Sequence, residues 1–276
     1  MSQAVRDYYN THAEMEWERL DDVQCHIEFA STIHLVDRYF PKQGRVCDIG
    51  GGPGRYTIEL ARRGHAVTLL DISEEEIRLA HTRLDQSGLR AEQLLVGDAR
   101  DLARLETESF DAALLMGPMY HLTGAQDRAV ALLELKRILK PGGSAILAYL
   151  NSWGLMRTGI IDFPAWYNDI SVLRSMLAEH SFDAARLSGF TEAHWSTPEA
   201  ALREIAAAGL EVLSRAGAES FAGGMKPLLE KFKLENPAAY ANLVQVAAET
   251  CELPQYRDAT DHLHIVVRKP AAPPTP

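Results

Sequence analysis

The sequence has few cysteines, no long apolar run and no cationic surplus, and each absence excludes a class of protein. Its three cysteines, Cys25, Cys47 and Cys251, are odd in number and far apart, and no Cys-x-x-Cys pair occurs. That pattern predicts neither a zinc site nor a disulfide framework. No apolar run approaches the roughly 20 residues of a membrane helix, and residues 1–7 lack the apolar core of a signal peptide. We therefore expect a cytoplasmic protein that binds no metal and no membrane.

The balance of charges argues against a nucleic-acid partner. The chain has 28 Lys and Arg against 38 Asp and Glu, which gives a formal net charge of −10 at pH 7. Proteins that bind DNA or RNA contact the phosphates with clustered basic side chains, and this sequence lacks that surplus. Its 276 residues, of which 46% are hydrophobic, suffice for one large domain or a domain with a cap. The composition favours a small-molecule ligand over nucleic acid.

A glycine-rich stretch at residues 46–54 predicts a ligand-binding loop. A short apolar run containing Asp48 is followed by glycines at positions 50, 51, 52 and 54, and residues 56–63 predict a helix. The order of strand, glycine turn and helix presents backbone N–H groups to a nucleotide-like ligand. Glycine allows close approach and positive φ angles. A dinucleotide fingerprint needs glycines at its first, third and sixth positions; counted from Gly50, the sixth position is Arg55, and the last glycine comes one residue early.

Two later strands also end in an acid. The apolar run 66–70 is followed by Asp71, and the run 93–97 by Asp98. An acid about 20 residues beyond a glycine loop binds the ribose in α/β nucleotide folds, because one carboxylate can accept hydrogen bonds from both hydroxyls. Ser73 and Glu76 form a capping box that begins the next helix. We interpret the acids at positions 74–76 as helix-start residues that suit the positive end of the helix dipole, not as catalytic groups.

The fourth strand is followed by two polar aromatic residues. Residues 110–118 form a continuous apolar run, as in a strand covered on both faces, and Tyr120 and His121 come directly after it. Ligands of open parallel sheets bind beyond the carboxyl ends of the strands, so both side chains are expected near the reacting group. A helix over residues 125–139 then ends in Lys-Pro-Gly-Gly, and an apolar strand over residues 144–149 follows.

Together these motifs resemble the class I S-adenosylmethionine-dependent methyltransferases. The resemblance rests on the glycine pattern at 46–54, on Gly-Pro-x-Tyr-His-Leu at 117–122 and on Leu-Lys-Pro-Gly-Gly at 139–143, and it covers about residues 44–150. It implies an α/β fold with a Rossmann-like, seven-stranded, mostly parallel sheet whose last strand is reversed. It also implies an N-terminal helical lid and a helical cap insertion.

The resemblance implies that the cofactor is S-adenosylmethionine and the product S-adenosylhomocysteine, without a metal. A methyl group would pass to an O, N or S atom of a small-molecule acceptor by in-line displacement. Carried over, Asp71 binds the ribose, Asp98 the adenine amine, and the backbone N–H of Ala99 the adenine ring. The full set of implied cofactor-binding residues is Tyr9, Asp48, Gly50, Gly51, Gly52, Gly54, Asp71, Ile72, Asp98, Ala99, Arg100, Met116 and Gly117.

Catalytic and acceptor-binding residues follow from position. A general base is needed only if the acceptor arrives protonated, and His121 is the first candidate because its reference pKa of about 6.5 suits neutral pH. Its alternative role is structural or cofactor-contacting. Tyr120 is the second catalytic candidate. The segment after the fifth strand is rich in aromatic residues, and within it Trp153 and Arg157 are candidates for acceptor contact.

The domain organisation follows from these motifs and from breaks in composition. We expect a helical lid over 1–43, the cofactor-binding core over 44–150, a cap over 151–197, the remainder of the core over 198–269 and a disordered tail over 270–276. Within the remainder, the sequence predicts a sixth strand at 210–214, a helical pair at 225–250 broken near Pro237, and an antiparallel strand at 262–268.

Several alternatives remain open at this point. A non-catalytic regulator that binds S-adenosylmethionine would carry the same motifs. An NAD(P)-dependent oxidoreductase shares the strand, loop and acid, although Arg55 replaces its third glycine. An arsenic methyltransferase would need clustered cysteine thiolates, which Cys47 inside a strand makes doubtful. The protein is expected to be a monomer or a homodimer.

Overall fold

A computed structural model describes residues 1–178, 180–183 and 191–271, without the side chains of residues 182 and 183. The helices are α1 Gln3–Arg19, α2 Val23–Tyr39, α3 Arg55–Arg62, α4 Glu74–Gln86, α5 Pro118–His121, α6 Ala125–Ile138, α7 Ser152–Asp162, α8 Ile170–Ser175, α9 Pro198–Ala207, α10 Lys226–Glu235, α11 Pro237–Thr250 and α12 Pro254–Arg257. The strands are β1 Arg45–Ile49, β2 Ala66–Asp71, β3 Gln93–Val96, β4 Phe110–Leu115, β5 Leu139–Asn151, β6 His180–Asp183, β7 Glu192–Ser196, β8 Glu211–Gly217 and β9 His262–Arg268.

The central sheet has the order β3-β2-β1-β4-β5-β9-β8. Strands β1 to β5 are parallel, and β9 runs antiparallel to both of its neighbours. This confirms the predicted mostly parallel sheet with a reversed last strand. Two further strands, β7 and β6, join it beside the end of β5, so the described sheet has nine strands where seven were predicted. The chain moves outward in one direction through β2 and β3 and in the other from β4 onward, so β1 and β4 flank the topological switch point. The crevice beyond their carboxyl ends is where such sheets bind ligands.

The central strands are covered on both faces because their side chains alternate between two cores. On one face Cys47, Ile49 and Leu115 pack with the apolar side of α6. On the other face Val46 and Leu114 pack with α2. All three cysteines of the chain are buried and form no disulfide, and Cys47 lies inside strand β1, as predicted.

Helix α2 packs on the sheet, and α1 lies beside the ligand crevice. Helix α1 packs against α4, and α2 packs against α11. Asn10 on α1 accepts a hydrogen bond from the hydroxyl of Ser73 at the start of α4, at 2.7 Å. The predicted helical pair is also present, because α10 and α11 are separated at Asn236 and Pro237. None of the helices in the described part of the chain has the length and apolar character needed to cross a bilayer.

The segment predicted as a helical cap contains two helices, α7 and α8, and also two strands that the sequence patterns did not predict. Strands β6 and β7 form an antiparallel pair, and β7 extends the sheet beside the end of β5. Residues 179 and 184–190 of this segment, and residues 272–276 of the predicted disordered tail, lie outside the described residues. The predicted bounds of lid, core and cap stay predictions.

Candidate functional site

A cavity of about 120 Å³ lies at the switch point, between the carboxyl ends of β1, β2 and β4 and the inner side of α1. Ten of the residues predicted for the site line it: Tyr9, Gly50, Gly51, Gly52, Asp71, Ile72, Met116, Gly117, Tyr120 and His121. The other predicted residues are not part of its lining: Asp48, Gly54, Asp98, Ala99, Arg100, Trp153 and Arg157.

The glycine loop, residues 50–54, passes so close to the loop after β4 that a side chain would collide with it. Gly50 has a φ of +75°, and a Cβ placed on it would lie 2.5 Å from Cδ of Pro118 and 2.9 Å from the carbonyl oxygen of Met116. A Cβ on Gly51 would lie 2.7 Å from the carboxylate of Asp48. Contacts below 3 Å cannot be accommodated against backbone or a proline ring. Glycine is therefore required here by packing as well as by φ.

Asp48 lies behind the glycine loop rather than on the cavity wall. Its carboxylate is fully buried and accepts a hydrogen bond of 2.7 Å from the hydroxyl of Thr57, on α3. Burial raises the pKa of Asp48 to about 6, although the Thr57 hydrogen bond opposes this. The location favours a role in holding the loop between β1 and α3, in place of the direct cofactor contact implied by the sequence.

Asp71 ties the end of β2 to the glycine loop. Its Oδ2 accepts a hydrogen bond from the backbone N–H of Gly52 at 3.0 Å, and its Oδ1 accepts one from the N–H of Ser73 at 2.9 Å. Burial raises the pKa of Asp71, and the backbone N–H groups of Ser73, Gly52 and Ile72 oppose that shift. A carboxylate has about four acceptor positions, so about two remain for hydroxyl groups of a ligand.

Glu76 is a site residue that the sequence analysis assigned to a different role. The predicted capping box is only half formed: the Glu76 N–H donates to the Ser73 hydroxyl at 3.1 Å, but the Ser73 N–H donates to Asp71. The Glu76 side chain lines the cavity instead, 1% exposed, and neither carboxyl oxygen has a hydrogen-bond partner within the described residues. Burial, together with the charges of Asp71 and Glu16, raises its pKa to about 9. A protonated, unpartnered carboxyl therefore faces the ligand site.

Glu76→Gln should stabilise the protein without ligand at pH 8 and leave it unchanged at pH 4. The folded-state pKa of about 9 exceeds the ordinary value of 4.5, so the stability that the group contributes is complete below pH 4.5 and is lost as the pH rises toward 9. Glutamine cannot ionise, and we expect a gain of about 1–3 kcal/mol in the free energy of unfolding at pH 8, measured by urea denaturation.

Glu75→Gln is the matched control for this substitution, because Glu75 lies on the same helical turn but is only half-buried and is paired with Arg78. It should change the free energy of unfolding by less than about 0.5 kcal/mol at either pH. Equal effects of the two substitutions, or a gain for Glu76→Gln that does not depend on pH, would contradict the raised pKa.

His121 is held by hydrogen bonds at both ring nitrogens. Nδ1 lies 3.0 Å from the carbonyl oxygen of Glu192, which can only accept, so Nδ1 carries the proton. Nε2 lies 2.7 Å from the hydroxyl of Tyr9 and must then accept from it. Burial lowers the pKa of His121 to about 4. The neutral ring thus joins α1 to β7, and this favours the structural alternative over the general base, whose lone pair Tyr9 occupies.

At the predicted adenine end, Asp98 is engaged by cations of the chain itself. Its carboxylate forms an ion pair with the N-terminal ammonium of Met1 and another, of 2.8 Å, with the guanidinium of Arg100. Burial opposes ionisation, but these two groups outweigh it and lower the pKa of Asp98 to about 2. Met1 itself lines the cavity, whereas Ala99 is buried behind it. The adenine contacts of Asp98, Ala99 and Arg100 stay predictions.

The opposite end of the cavity contains a charged cluster that no sequence motif indicated. Glu28 on α2 and His262 on β9 line the cavity, and Glu219 lies buried behind them. Nδ1 of His262 donates to Oε1 of Glu219 at 2.7 Å. Burial would lower the pKa of His262, but the carboxylates of Glu28 and Glu219 outweigh it and raise that pKa to about 10. Burial would raise the pKa of Glu28, but His262 and His264 bring it below its usual range.

The two predicted acceptor contacts lie on α7, away from this lining. Trp153 is 37% exposed. Arg157 donates a hydrogen bond of 3.3 Å to the carbonyl oxygen of Gly223, and its side chain packs over Gly224. Contact of either residue with an acceptor stays a prediction.

Comparison with known proteins finds a family match for the third of the chain that contains the glycine loop. Residues 46–143 match the sequence model of a family described as a methyltransferase domain. This confirms, over those residues, the predicted resemblance to S-adenosylmethionine-dependent methyltransferases.

Individual relatives cover different shares of the chain. The ubiquinone biosynthesis O-methyltransferase of Xanthomonas axonopodis pv. citri is 32% identical over 118 residues, which are 43% of this chain and 48% of that protein. The chain thus spans about half the length of that relative. The tRNA 5-carboxymethoxyuridine methyltransferase of Escherichia coli K12 is 25% identical over 235 residues, 83% of this chain and 82% of that protein.

A solved structure shares the fold over nearly the whole chain. It is the Burkholderia thailandensis 1,6-didemethyltoxoflavin-N1-methyltransferase, solved with bound 1,6-didemethyltoxoflavin and S-adenosylhomocysteine. It superposes with a TM-score of 0.60 at 15% identity, over 97% of this chain and 88% of that one. The likeness supports the fold described above.

Proposed function

Because residues 46–143 match the model of a methyltransferase-domain family, we propose that this protein transfers a methyl group from S-adenosylmethionine to an O, N or S atom of a small-molecule acceptor. The observation that carries the proposal is the cavity at the switch point, where the glycine loop and Asp71 form one wall and the loop after β4 forms another. Both walls come from the matched residues.

The residues present fit the cofactor. Asp71 keeps about two free acceptor positions, as a ribose diol needs. Gly52 has a φ of +50°, and the nearest atom to a Cβ placed there is 3.9 Å away, on Glu76, so the backbone is open to a ligand. The unpartnered carboxyl of Glu76 faces the same space. Ile72 offers an apolar contact beside them.

When bound, S-adenosylmethionine would supply an electrophilic methyl group on a sulfonium, leaving S-adenosylhomocysteine. Since that donor is already activated, the main tasks of the protein are to align the acceptor and to exclude water. Helix α1 covers the cavity. It is held there by hydrogen bonds between Tyr9 and His121 and between Asn10 and Ser73. Burial raises the pKa of Tyr120, so its phenol stays protonated and can donate a hydrogen bond to an acceptor.

A nucleoside in tRNA is the second candidate acceptor, because the similarity to the Escherichia coli tRNA methyltransferase extends over 83% of this chain. The net charge of −10 weighs against it. The cavity, which is covered by α1, also suits a small molecule better than a polynucleotide. Competition experiments with bulk tRNA would distinguish the two classes.

The proposal is tested by calorimetric titration of the purified protein with S-adenosylmethionine and S-adenosylhomocysteine, with NADH as the control. We expect micromolar affinity for the two sulfur compounds and no heat from NADH. Binding of NADH, or of none of the three, would overturn the cofactor assignment. Binding without turnover of any acceptor would instead favour the non-catalytic regulator.

A further inference from the structure

The wall formed by Glu28 and His262 lies near Tyr120, one of the two residues predicted to lie near the reacting group. Tyr120 follows the loop after β4, and its ring centre is 6.4 Å from that of His262. Glu28, His262 and Tyr120 all line the cavity, and so do Gly117, Asp71 and the glycine loop. The proposed function places the acceptor in this same cavity, beside the cofactor.

This wall presents one hydrogen-bond donor and one acceptor to the cavity. His262 is protonated, and its Nδ1–H is used by Glu219, whereas its Nε2–H has no hydrogen-bond partner in the parts of the chain that the structure describes. Glu28 is ionised, and its Oε1 lies 3.5 Å from Nε2 of the buried His264. One carboxylate oxygen of Glu28, one of Glu219 and one ring nitrogen of His262 lie within 4.8 Å of one another. Because Glu28 and His262 also line the same cavity, one ligand group there can contact both side chains.

The cavity as a whole offers no surplus charge to select an ionic acceptor. With Glu76 protonated, the other acidic side chains along its lining, Glu16, Glu28 and Asp71, equal the basic ones, Arg19, Arg55 and His262, in number. The ammonium of Met1 also lies on the lining, but it is paired with Asp98. Selection must therefore come from hydrogen-bond geometry at the wall. Neutral nucleophiles differ in how many protons they can donate to Glu28 and how many lone pairs they can offer to His262.

A hydroxyl group matches this donor and acceptor, and other nucleophiles do not. Its oxygen has two lone pairs, so one can accept from His262 while the other attacks, and its proton can bond Glu28. A neutral amine has a single lone pair, which cannot do both. A carboxylate has no proton for Glu28 and is repelled by it, and a thiol is a weak partner for either side chain.

We propose that Glu28 and His262 bind the hydroxyl group that becomes methylated, so that the acceptor is a phenol or another alcohol and the reaction is an O-methylation. The proposal rests on the proposed function. A lone pair of the hydroxyl oxygen forms the new O–C bond while the S–C bond breaks and its electron pair stays on sulfur. The hydroxyl proton passes to the Glu28 carboxylate and then to water. The products are a methyl ether, S-adenosylhomocysteine and a proton.

The roles of the two side chains follow from their charges. Glu28 is a weak base, which suits a step in which the proton leaves only as the O–C bond forms and the hydroxyl becomes acidic. The His262 cation stabilises negative charge that gathers on the oxygen. Glu219 touches neither the acceptor nor the cofactor in this scheme. It is a positioning residue that keeps His262 protonated and oriented.

The test uses three probes that share one ring and differ in one group: p-cresol, p-toluidine and p-toluate. An aromatic ring is chosen because Tyr56 and Tyr120 line the cavity. Each probe is titrated into protein saturated with S-adenosylhomocysteine, so failure to bind that compound contradicts the proposed function before this test begins. We expect p-cresol to bind at least about 5-fold more tightly than either other probe, the value of one hydrogen bond.

Two variants each remove the selection against one of the other two probes. His262→Phe removes the donor and should bring p-toluidine to within about 2-fold of p-cresol, while Glu28→Gln removes the repulsion and should admit p-toluate to a similar level. Because each result is a ratio within one variant, a partial loss of folding does not alter it. Glu14→Gln, at an exposed position on α1, should keep the wild-type ratios.

Three results would overturn the proposal. The first is a wild-type preference for p-toluidine or p-toluate. The second is that p-cresol does not bind to the complex with S-adenosylhomocysteine. The third is that Mg²⁺ or Zn²⁺ binds the wild type and neither variant, which would make Glu28, Glu219 and His262 a metal site instead.

Discussion

Replacing Gly50 with alanine should abolish the binding of S-adenosylhomocysteine and lower the free energy of unfolding by about 3 kcal/mol. Alanine would have to adopt the left-handed φ of +75°, and its Cβ would lie 2.5 Å from the Pro118 ring and 2.9 Å from the Met116 carbonyl oxygen. Neither group can swing aside, so the loops after β1 and β4 must separate. The measurements are urea denaturation and calorimetric titration.

Gly88 provides the matched control, because it also has a positive φ, of +64°, but no atom lies within 4 Å of a Cβ placed on it. Gly88→Ala should cost about 1 kcal/mol, which is the conformational strain alone, and leave binding unchanged. The difference between the two variants isolates the collision. If both variants lose the same stability and bind equally well, the two loops do not need their close approach.

The sheet and one wall of the cavity could be predicted from the sequence because their signals are local. Each central strand is a short apolar run with an acid or glycine at its carboxyl end, and that end is where a parallel sheet binds its ligand. Gly50, Asp71 and Tyr120 were placed on the cavity by this reasoning alone, and the structure brings all three to its lining. Strand β9 was predicted over the same residues that form it.

Glu76 shows where a local signal gives an incomplete answer. Its spacing from Ser73 is that of a capping box, and its backbone does bond the Ser73 hydroxyl. Its side chain would complete the box only if the Ser73 N–H were free, but Asp71 already accepts from that group. The sequence does not show this competition, since it depends on the exact conformation of the turn after β2.

Glu28, Glu219 and His262 could not be predicted, because α2 and β9 come from opposite ends of the chain and meet only through the packing of α2 on the sheet.

His121 is a related case. Its position beside the cavity follows from the motif, but its chemistry depends on Tyr9 and on the carbonyl group of Glu192. Strand β7, which supplies that carbonyl group, alternates polar and apolar residues over its five positions, Glu192–Ser196, so a strand signal is present there, but the signal does not show which side chain its carbonyl group will meet.

Replacing Asp71 with alanine should weaken the binding of S-adenosylmethionine by at least about 100-fold, or about 2.7 kcal/mol. The substitution removes the two acceptor positions left for the ribose hydroxyls. It also releases the N–H groups of Gly52 and Ser73, which now hold the glycine loop against the start of α4. Affinity is measured by calorimetric titration, and the free energy of unfolding is measured on the same samples.

Two further variants separate the ligand contact from the local backbone contacts. Asp101 accepts a hydrogen bond from the backbone N–H of Ala103, two residues on, at 3.2 Å, but it is exposed and does not line the cavity. Asp101→Ala should leave binding unchanged. Asp71→Asn keeps one acceptor oxygen and should give an intermediate loss of about 10-fold. If Asp71→Ala binds S-adenosylmethionine as tightly as the wild type does, the ribose lies elsewhere, and Glu76 becomes the first carboxyl to test in its place.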